Sequence, residues 1–323
     1  MMMSSYGPDY NDKDKVIFIL GATATGKSKL SIDFASNIQA EIINSDKIQV
    51  YKGLDIVTNK MNESERQGVP HHLLGFIEDP DADFTIDDFR YHVETTIERI
   101  RERGCIPIVV GGSNTYIEAL VEQPNNRFRS KYDCCFLWLD VSLPVHFEYV
   151  GKRVDQMVEA GLVDEIREMF EEGADYTRGI RRAIGVHELE PYFLAERNLD
   201  NNVDLETLLR ASIEETKENT CKLVIRQLQK IQRLKNELKW EIHRIDATCV
   251  FEKSGKEAQD AWEKLVLKPS LEIVSDFLQG NNNNMRAHEN KNEKRLNILR
   301  DIDSRFEMRG RELVTESLRR KPI

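Results

Sequence analysis

Residues 21–28, with the sequence GATATGKS, constrain the fold of this 323-residue chain more than any other segment. They follow the apolar run 16–20 and precede the amphipathic stretch 30–38, so a strand, a glycine loop and a helix succeed one another as in a phosphate-binding loop. Glycines permit the tight turn that directs backbone N–H groups onto one anion at a helix N-terminus. Lys27 adds a positive charge, and Ser28 offers a hydroxyl for Mg²⁺. The loop predicts that the chain binds a di- or triphosphate.

Short β-branched runs alternate with longer helical patterns along the chain, which favours βαβ units on a parallel sheet. A helix is expected over 85–103, with Thr85 as its cap, and another over 205–238. The predicted fold class is α/β, a P-loop NTPase-like parallel sheet flanked by helices with a small helical insert subdomain. The predicted strands are 16–20, 41–44, 73–77, 106–110, 136–140 and a closing strand at 240–245.

The strand pattern disappears between about residues 143 and 202, where apolar residues follow a helical period. We therefore expect a P-loop core domain over 14–142 and 203–270, with a helical substrate or lid subdomain over 143–202. An asparagine-rich stretch follows at 281–284, and such a composition buries little apolar surface. Residues 279–323 are predicted to be a linker and a charged C-terminal tail.

Composition narrows the class of protein and its partners. The net charge of −10 opposes a broad nucleic-acid footprint, because phosphate backbones are held by clustered Lys and Arg. The apolar runs are too short to cross a bilayer, so no membrane partner is expected. The five cysteines form no Cys-x-x-Cys pair, which fits a reducing compartment. Residues 1–8 carry no pattern of a targeting peptide. Separately, we expect the protein to be a monomer.

Asp46 follows the second predicted strand, so it is expected to face the same crevice as the phosphate loop. A carboxylate there could hold Mg²⁺ through water or accept a proton as a general base, although capping a helix would also explain it. The strand 106–110 runs into a second glycine turn at 111–116 rather than into a metal-binding Asp. This absence disfavours an ordinary GTPase or motor ATPase.

Together these segments resemble the isopentenyltransferase family, which joins the prenyl group of dimethylallyl diphosphate to the exocyclic amine of adenine. Two acceptors compete within the family, an adenosine of tRNA and a free adenine nucleotide. Residues 219–231 are similar to the plant members that use free nucleotides, and we favour that acceptor. The matching segments are 21–28, 44–46, 49–51, 53–55, 70–73, 84–90, 111–116, 161–162 with Glu165, 183–185 and 220–227.

The resemblance implies dimethylallyl diphosphate and an adenine nucleotide as substrates, with Mg²⁺ as cofactor, held in part by Ser28. The implied catalytic residues are Asp46 as base, with Lys27 and Arg226 near the leaving group. The implied donor-diphosphate residues are Gly21, Thr23, Thr25, Gly26, Lys27, Ser28, Thr115 and Arg226. For the acceptor nucleotide we expect Asp46, Ser45, Arg181, Arg182 and Lys222.

Three other interpretations stay open at this point. The chain could be a tRNA dimethylallyltransferase, a small-molecule kinase whose helical insert closes as a lid, or a nucleotide-dependent binding module. The resemblance also implies a plastid location, with the cytoplasm as the alternative. His187 stands where the plant relatives would have Pro, and we assign it no role.

Overall fold

The computed structural model describes residues 13–198 and 204–280, and its strands form a parallel sheet in the order β3-β2-β4-β1-β5-β6. Parallel strands need long crossover connections, and helices supply them here. The predicted α/β class with a helix-flanked parallel sheet is confirmed. The strands are β1 Asp14–Leu20, β2 Ala40–Asn44, β3 His71–His72, β4 Ile106–Val110, β5 Tyr132–Asp140 and β6 Ile242–Asp246.

The helices of the described residues carry the labels α1 to α12 in chain order. Two short 3₁₀ helices, at Pro124–Asn126 and Gly179–Arg182, and a π-helical stretch at Glu263–Leu267 complete the regular structure. The helices are α1 Lys27–Asn37, α2 Glu63–Arg66, α3 Ile86–Glu102, α4 Asn114–Val121, α5 Arg127–Lys131, α6 Leu143–Glu159, α7 Leu162–Met169, α8 Glu190–Arg197, α9 Leu205–Asn236, α10 Thr248–Phe251, α11 Gly255–Trp262 and α12 Lys268–Leu278.

Strand β1 lies in the interior of the sheet, between β4 and β5, and its apolar residues are fully buried. A strand covered on both faces needs an unbroken apolar run, which is what the sequence shows before the phosphate loop. Phe18 stacks on Phe136 of β5, with ring centroids 4.9 Å apart, and Phe136 packs on Trp240 at 4.5 Å. This packing fixes the end of β1, from which the phosphate loop departs.

The predicted strand 73–77 is wrong, although the other predicted strands agree with the structure to within a few residues. Strand β3 comprises only His71 and His72, and Ile77 forms only an isolated bridge with Tyr51. The reason is local, because Leu73 and Gly75 have φ angles of 58° and 62°. Left-handed residues turn the chain, so the apolar run cannot extend as a strand.

The predicted helix over 85–103 is present as α3, and a reciprocal cap explains its start. The Thr85 hydroxyl accepts a hydrogen bond from the Asp88 N–H (3.1 Å), and the Asp88 carboxylate accepts one from the Thr85 N–H (2.9 Å). Such a capping box satisfies two backbone donors that the first turn leaves free. The predicted long helix is α9, which begins after Asp204 as cap.

The chain divides into two units after Leu271, and the sheet belongs to the first. The second is described only over 272–280, the end of α12 and the two residues after it. Helices α6 to α8 occupy the region predicted as a helical subdomain, and its separation from the core stays a prediction. The predicted tail lies outside the described residues beyond position 280, as does the N-terminal segment 1–12.

Candidate active site

A cavity of about 860 Å³ lies where the carboxyl ends of β1, β2 and β4 meet. The segments that follow these three strands line it, at residues 23–29, 46–49 and 111–113. Helices α6, α9 and α11 supply further parts of the wall. Ligand sites of open parallel sheets lie at this edge, so the fold itself places the candidate site here.

The phosphate loop needs glycine at its first and sixth positions, Gly21 and Gly26. Gly26 has a φ of 87°, and a Cβ there would lie 2.9 Å from the Trp262 ring. A Cβ on Gly21 would lie 2.7 Å from the Leu139 carbonyl oxygen. Gly26 immediately precedes α1, so the loop leads directly into a helix N-terminus, where anions bind favourably.

Three side chains from α6 and α9 hold every polar group of Thr23, in the middle of the loop. Its N–H donates to Gln227 Oε1 (2.8 Å), and its carbonyl accepts from His146 Nε2 (2.7 Å). Its hydroxyl accepts from Arg153 Nη2 (2.9 Å). Burial lowers the pKa of His146 to about 4, so this imidazole is neutral at pH 7 with its proton on Nε2. The loop conformation is thus fixed by contacts from two separate helices.

The cavity is cationic although the chain is acidic. Among the described residues, Asp46 is the one carboxylate side chain that lines it. The excess of positive charge fits ligands that carry several phosphate groups. The six lining cations are Lys27, Lys29, Lys47, Arg153, Arg182 and Arg226.

Asp46 raises the pKa of two lysines that line the cavity, Lys27 and Lys47. Burial lowers the pKa of Lys27 to about 8, while Asp46 raises it and Arg153 lowers it further. Burial likewise lowers the pKa of Lys47, with Arg182 lowering it, Asp46 raising it and Arg226 lowering it again. We call Lys27, Lys29 and Arg153 the loop cations, and Lys47, Arg182 and Arg226 the wall cations. The carboxylate is therefore within electrostatic reach of both groups.

The two oxygens of Asp46 have different surroundings. Oδ1 accepts from the backbone N–H groups of Ile48 (2.9 Å) and Gln49 (3.4 Å), so Asp46 caps the turn at 47–50 rather than a helix. Oδ2 accepts no hydrogen bond from the described residues, and it lies near Gly112. One oxygen fixes the carboxylate and the other is available to a ligand, so capping and chemistry coexist in this residue.

The second glycine turn is packed too tightly for side chains. A Cβ on Gly111 would lie 2.7 Å from the Asp46 nitrogen, and a Cβ on Gly112 would overlap Gln227 Nε2. Gln227 Nε2 donates to the Gly112 carbonyl oxygen at 2.9 Å. The turn therefore joins the backbone of Asp46 to helix α9.

The structure brings most of the sequence-predicted site residues into this one cavity. Those that line it are Thr23, Thr25, Gly26, Lys27, Ser28, Asp46, Arg182 and Arg226. Gly21 lies beneath the loop rather than in the wall, and Thr25 Oγ1 donates within the loop, to the Ala22 carbonyl (3.0 Å).

Besides Gly21, four predicted site residues do not line the cavity, and each has another environment. Ser45 is only 1% exposed and is covered by Gly111, while Thr115 is exposed in the first turn of α4. Arg181 is buried between Asp81 (2.8 Å) and Glu171 (3.0 Å), so its charge is already paired. Lys222 is solvent-exposed and donates to Asn219 (3.0 Å). Lys222 and Arg226 lie four residues apart on α9, as expected, but only Arg226 lines the cavity, so the two do not form a positive strip facing it.

Four lining or supporting residues were absent from the sequence prediction: Lys47, His146, Arg153 and Gln227. His146 and Arg153 are seven residues apart on α6, a spacing that places them on one helix face. That spacing alone was a weak signal, since nothing in the sequence indicated that this face turns to the loop. Arg153 Nε and Arg182 Nη2 are buried and donate to no acceptor among the described residues.

The residues present fit a magnesium ion that is held mainly by phosphate. Ser28 lines the cavity directly after Lys27, and its hydroxyl makes no hydrogen bond with the described residues. No group of three His, Cys, Asp or Glu side chains suited to a metal occurs in that part of the chain. Asp140, at the end of β5, is paired with Arg244 (2.6 Å) outside the cavity. Mg²⁺ commonly takes one or two protein oxygens and completes its shell with phosphate and water.

Comparison with known proteins decides the family. The family model described as IPP transferase matches residues 49–128 and 122–233, more than half of the chain. The chain belongs to the IPP transferase family. Membership confirms the resemblance drawn from the motifs. The matched residues include the second glycine turn, Arg182 and Arg226.

Two relatives and one solved structure place the chain within the family. Adenylate isopentenyltransferase 5, chloroplastic, of Arabidopsis thaliana is 54% identical over 272 residues, which cover 84% of this chain and 82% of that protein. Adenylate isopentenyltransferase 7, mitochondrial, of the same plant is 50% identical over 271 residues, covering 84% and 82%. The structure of a eukaryotic dimethylallyltransferase acting on tRNA has a TM-score of 0.69 and 26% identity, over 83% of this chain and 80% of that one.

Proposed function

We infer that this IPP transferase is an adenylate isopentenyltransferase, which transfers a dimethylallyl group from dimethylallyl diphosphate to the N6 amine of an adenine nucleotide. The observation that carries the inference is the single cavity in which one carboxylate lies within reach of two groups of cations. Such a cavity suits two phosphorylated substrates that must meet at one proton acceptor. The identity of 54% to an adenylate enzyme, against 26% to the tRNA-acting structure, supports the free nucleotide as acceptor.

The donor diphosphate would lie on the phosphate loop, beside the loop cations. Lys27 and the backbone N–H groups at the start of α1 would hold its oxygens, and Arg226 would face the leaving group. When Mg²⁺ is bound, Ser28 would contribute an oxygen ligand, and the ion would neutralise part of the diphosphate charge. The stabilised negative charge makes pyrophosphate a better leaving group.

Asp46 would accept the proton of the attacking amine through its open Oδ2. In the transfer a bond forms between the adenine N6 and C1 of the prenyl group, while the bond from C1 to the diphosphate oxygen breaks. The electron pair of that bond leaves with pyrophosphate, and one N6 proton moves to Asp46. Because Oδ1 is fixed by two backbone N–H groups, the carboxylate is already oriented for this task.

Two of the wall cations, Lys47 and Arg182, would receive the acceptor's phosphates. Arg182 is close enough to Lys47 to lower its pKa, and both line the cavity, whereas Arg181 and Lys222 do not line it. The buried and unpartnered Nη2 of Arg182 is a ready donor for a phosphate oxygen. This assignment retains Arg182 from the sequence analysis and adds Lys47.

Parallel incubations with dimethylallyl diphosphate and Mg²⁺ test the function, each with AMP, ADP, ATP or unmodified tRNA as acceptor. We expect prenylated nucleotide and pyrophosphate in equal amounts, and no prenylated tRNA. Prenylated tRNA alone would favour the tRNA enzyme, and ADP formed from ATP with a phosphorylated acceptor would favour a kinase. The Asp46→Asn variant is the negative control for transfer.

We also propose a chloroplast location and a monomeric state. Relatives carry chloroplastic or mitochondrial in their names, which supports a location in an organelle. No helix in the described part of the chain is long and apolar enough to cross a membrane. Imaging of a fluorescent fusion of the full-length coding sequence tests the location, and light scattering of the purified chain tests the monomer.

A further inference from the structure

Gln227 connects the two glycine turns of the cavity through its side-chain amide. Its Oε1 accepts from the Thr23 N–H in the phosphate loop (2.8 Å), and its Nε2 donates to the Gly112 carbonyl in the second turn (2.9 Å). The residue is 9% exposed, so both bonds lie largely away from water. A single rigid planar group thus spans the segments that follow β1 and β4.

We infer that Gln227 is a positioning residue, which sets the separation between the donor diphosphate and the proton acceptor Asp46. The second turn continues the connection, because a Cβ on Gly111 would lie 2.7 Å from the Asp46 nitrogen. Thr23, Gln227, the glycine turn and Asp46 therefore form one continuous series of contacts across the cavity. The inference rests on the proposed transferase function.

An amide is the side chain that suits this place. The Thr23 N–H needs an acceptor and the Gly112 carbonyl needs a donor, and a primary amide offers one of each on adjacent atoms. An ionised carboxylate offers acceptors only, so it would repel the Gly112 carbonyl. A thioether of similar length would leave both backbone groups without a strong partner, and buried unpaired groups are costly. Neither turn can shift closer, because Gly112 already contacts the amide.

The reaction is sensitive to this separation. A displacement of about 1 Å between reacting groups can cost about 10²-fold in rate. The Gln227→Met variant should therefore show a kcat lower by about 10²-fold, with a KM for the acceptor that changes far less. The matched control is Gln229→Met, two residues further along α9 on its exposed side, which should keep both constants.

The Gln227→Glu variant gives a pH dependence of kcat that would not be expected if Gln227 had only a structural role. A protonated carboxyl has one donor and one acceptor, as the amide has, whereas the ionised form has acceptors only. The ratio of kcat in Gln227→Glu to kcat in the wild type should therefore rise as pH falls from about 8 to about 5.5, through the range of a buried carboxyl. Taking the ratio at each pH cancels the pH dependence that both proteins have in common.

Steady-state kinetics with dimethylallyl diphosphate and ADP decide the matter, with urea unfolding of each protein alongside. A pH-independent ratio for Gln227→Glu, or a folded Gln227→Met with wild-type kcat, overturns the inference. If Gln227→Met does not fold, the pH ratio of Gln227→Glu alone decides. Wild-type turnover is scored separately: a wild type that prenylates no nucleotide defeats the proposed function, whereas an active wild type with unaffected variants defeats only the positioning.

Discussion

Lys27 Nζ lies 2.6 Å from the carbonyl oxygen of Ala22, and thus donates to the loop that it serves. Burial lowers the pKa of this ammonium from the ordinary 10.5 to about 8, so it is charged below that pH and neutral above it. Since the diphosphate binds the charged form, kcat/KM for the prenyl donor should fall about tenfold per pH unit above pH 8. Initial rates at low donor concentration between about pH 7 and about pH 10 measure this.

The Lys27→Met variant should lose that decline together with most of its donor affinity. Lys29→Met is the control, because Lys29 is half-exposed and paired with Asp33 (2.9 Å), and it should keep the decline. An unchanged decline in Lys27→Met would show that another group titrates.

Asp46→Asn separates capping from proton transfer. Asparagine keeps the oxygen that accepts from Ile48 and Gln49, so the fold of the loop should survive. The loss of a positioned base should lower kcat by about 10²–10⁴-fold, with little change in the Kd for ADP. Single-turnover rates and equilibrium binding measure the two effects. Exposed Asp55, paired with Lys60 (3.0 Å), gives the control Asp55→Asn, and comparable rates in both variants would exclude Asp46 as base.

Arg182→Gln should weaken acceptor binding while donor binding is retained. Removal of a charge-assisted contact to phosphate should raise the KM for ADP by about tenfold or more. Lys222→Gln is the control, because Lys222 is exposed and contacts only its own helix. A larger rise in Lys222→Gln than in Arg182→Gln would return the acceptor phosphates to the exposed face of α9.

Gly26→Ala tests the close contact between the loop and the Trp262 ring. Gly68 is the matched control, since both glycines have positive φ, 87° and 75°, but a Cβ on Gly68 would meet nothing within 4 Å. Gly68→Ala should cost only about 1 kcal/mol of unfolding free energy from backbone strain. Gly26→Ala should cost more and should also raise the KM for the donor. Urea unfolding and donor kinetics compare them, and equal losses would dismiss the ring contact.

Glu41 should contribute to the free energy of unfolding at neutral pH, and this contribution should be lost in acid. The Arg103 guanidinium, with bonds of 2.8 and 2.7 Å, lowers the pKa of Glu41 to about 2 against burial, and His72 adds a bond of 2.6 Å. A depressed pKa stabilises the fold fully above the unfolded value near 4.5, and the gain disappears as pH falls towards 2.

The difference in unfolding free energy between the wild type and Glu41→Gln should therefore be largest at neutral pH and should shrink below about pH 4.5. Urea titrations at several pH values measure it. Glu78→Gln removes an exposed pair with Lys52 (2.8 Å) and should show no such dependence. A difference that grows with acid would contradict the assignment.

The sequence was most informative where backbone geometry demands particular residues. The phosphate loop, the end of β2 at Asp46 and the second glycine turn could be predicted because glycine and apolar runs are local signals. The run 73–77 was wrongly predicted as a strand from the same kind of local signal, because its apolar residues give no sign that Leu73 has a left-handed backbone. Hydrophobic pattern alone does not reveal a turn that a non-glycine residue makes.

The supporting residues required the tertiary structure. Gln227 and Arg153 reach the loop from helices that are distant from it in sequence, and no local pattern predicts which face of α6 or α9 turns inward. The same limit explains Lys222, whose four-residue spacing from Arg226 indicated a common face. Four-residue spacing places two charges on one helix face, but it does not show which of them reaches the cavity.

The restraint on Thr23 also determines when the protein orders its phosphate loop. Because α6 and α9 already fix the loop's amide, carbonyl and hydroxyl, its conformational entropy is lost on folding rather than on substrate binding. The attraction between the cations and the diphosphate is then largely available to align the prenyl carbon with the amine. The loop acts as a preorganised template, and its packing against α6 and α9 preserves binding energy for the transition state.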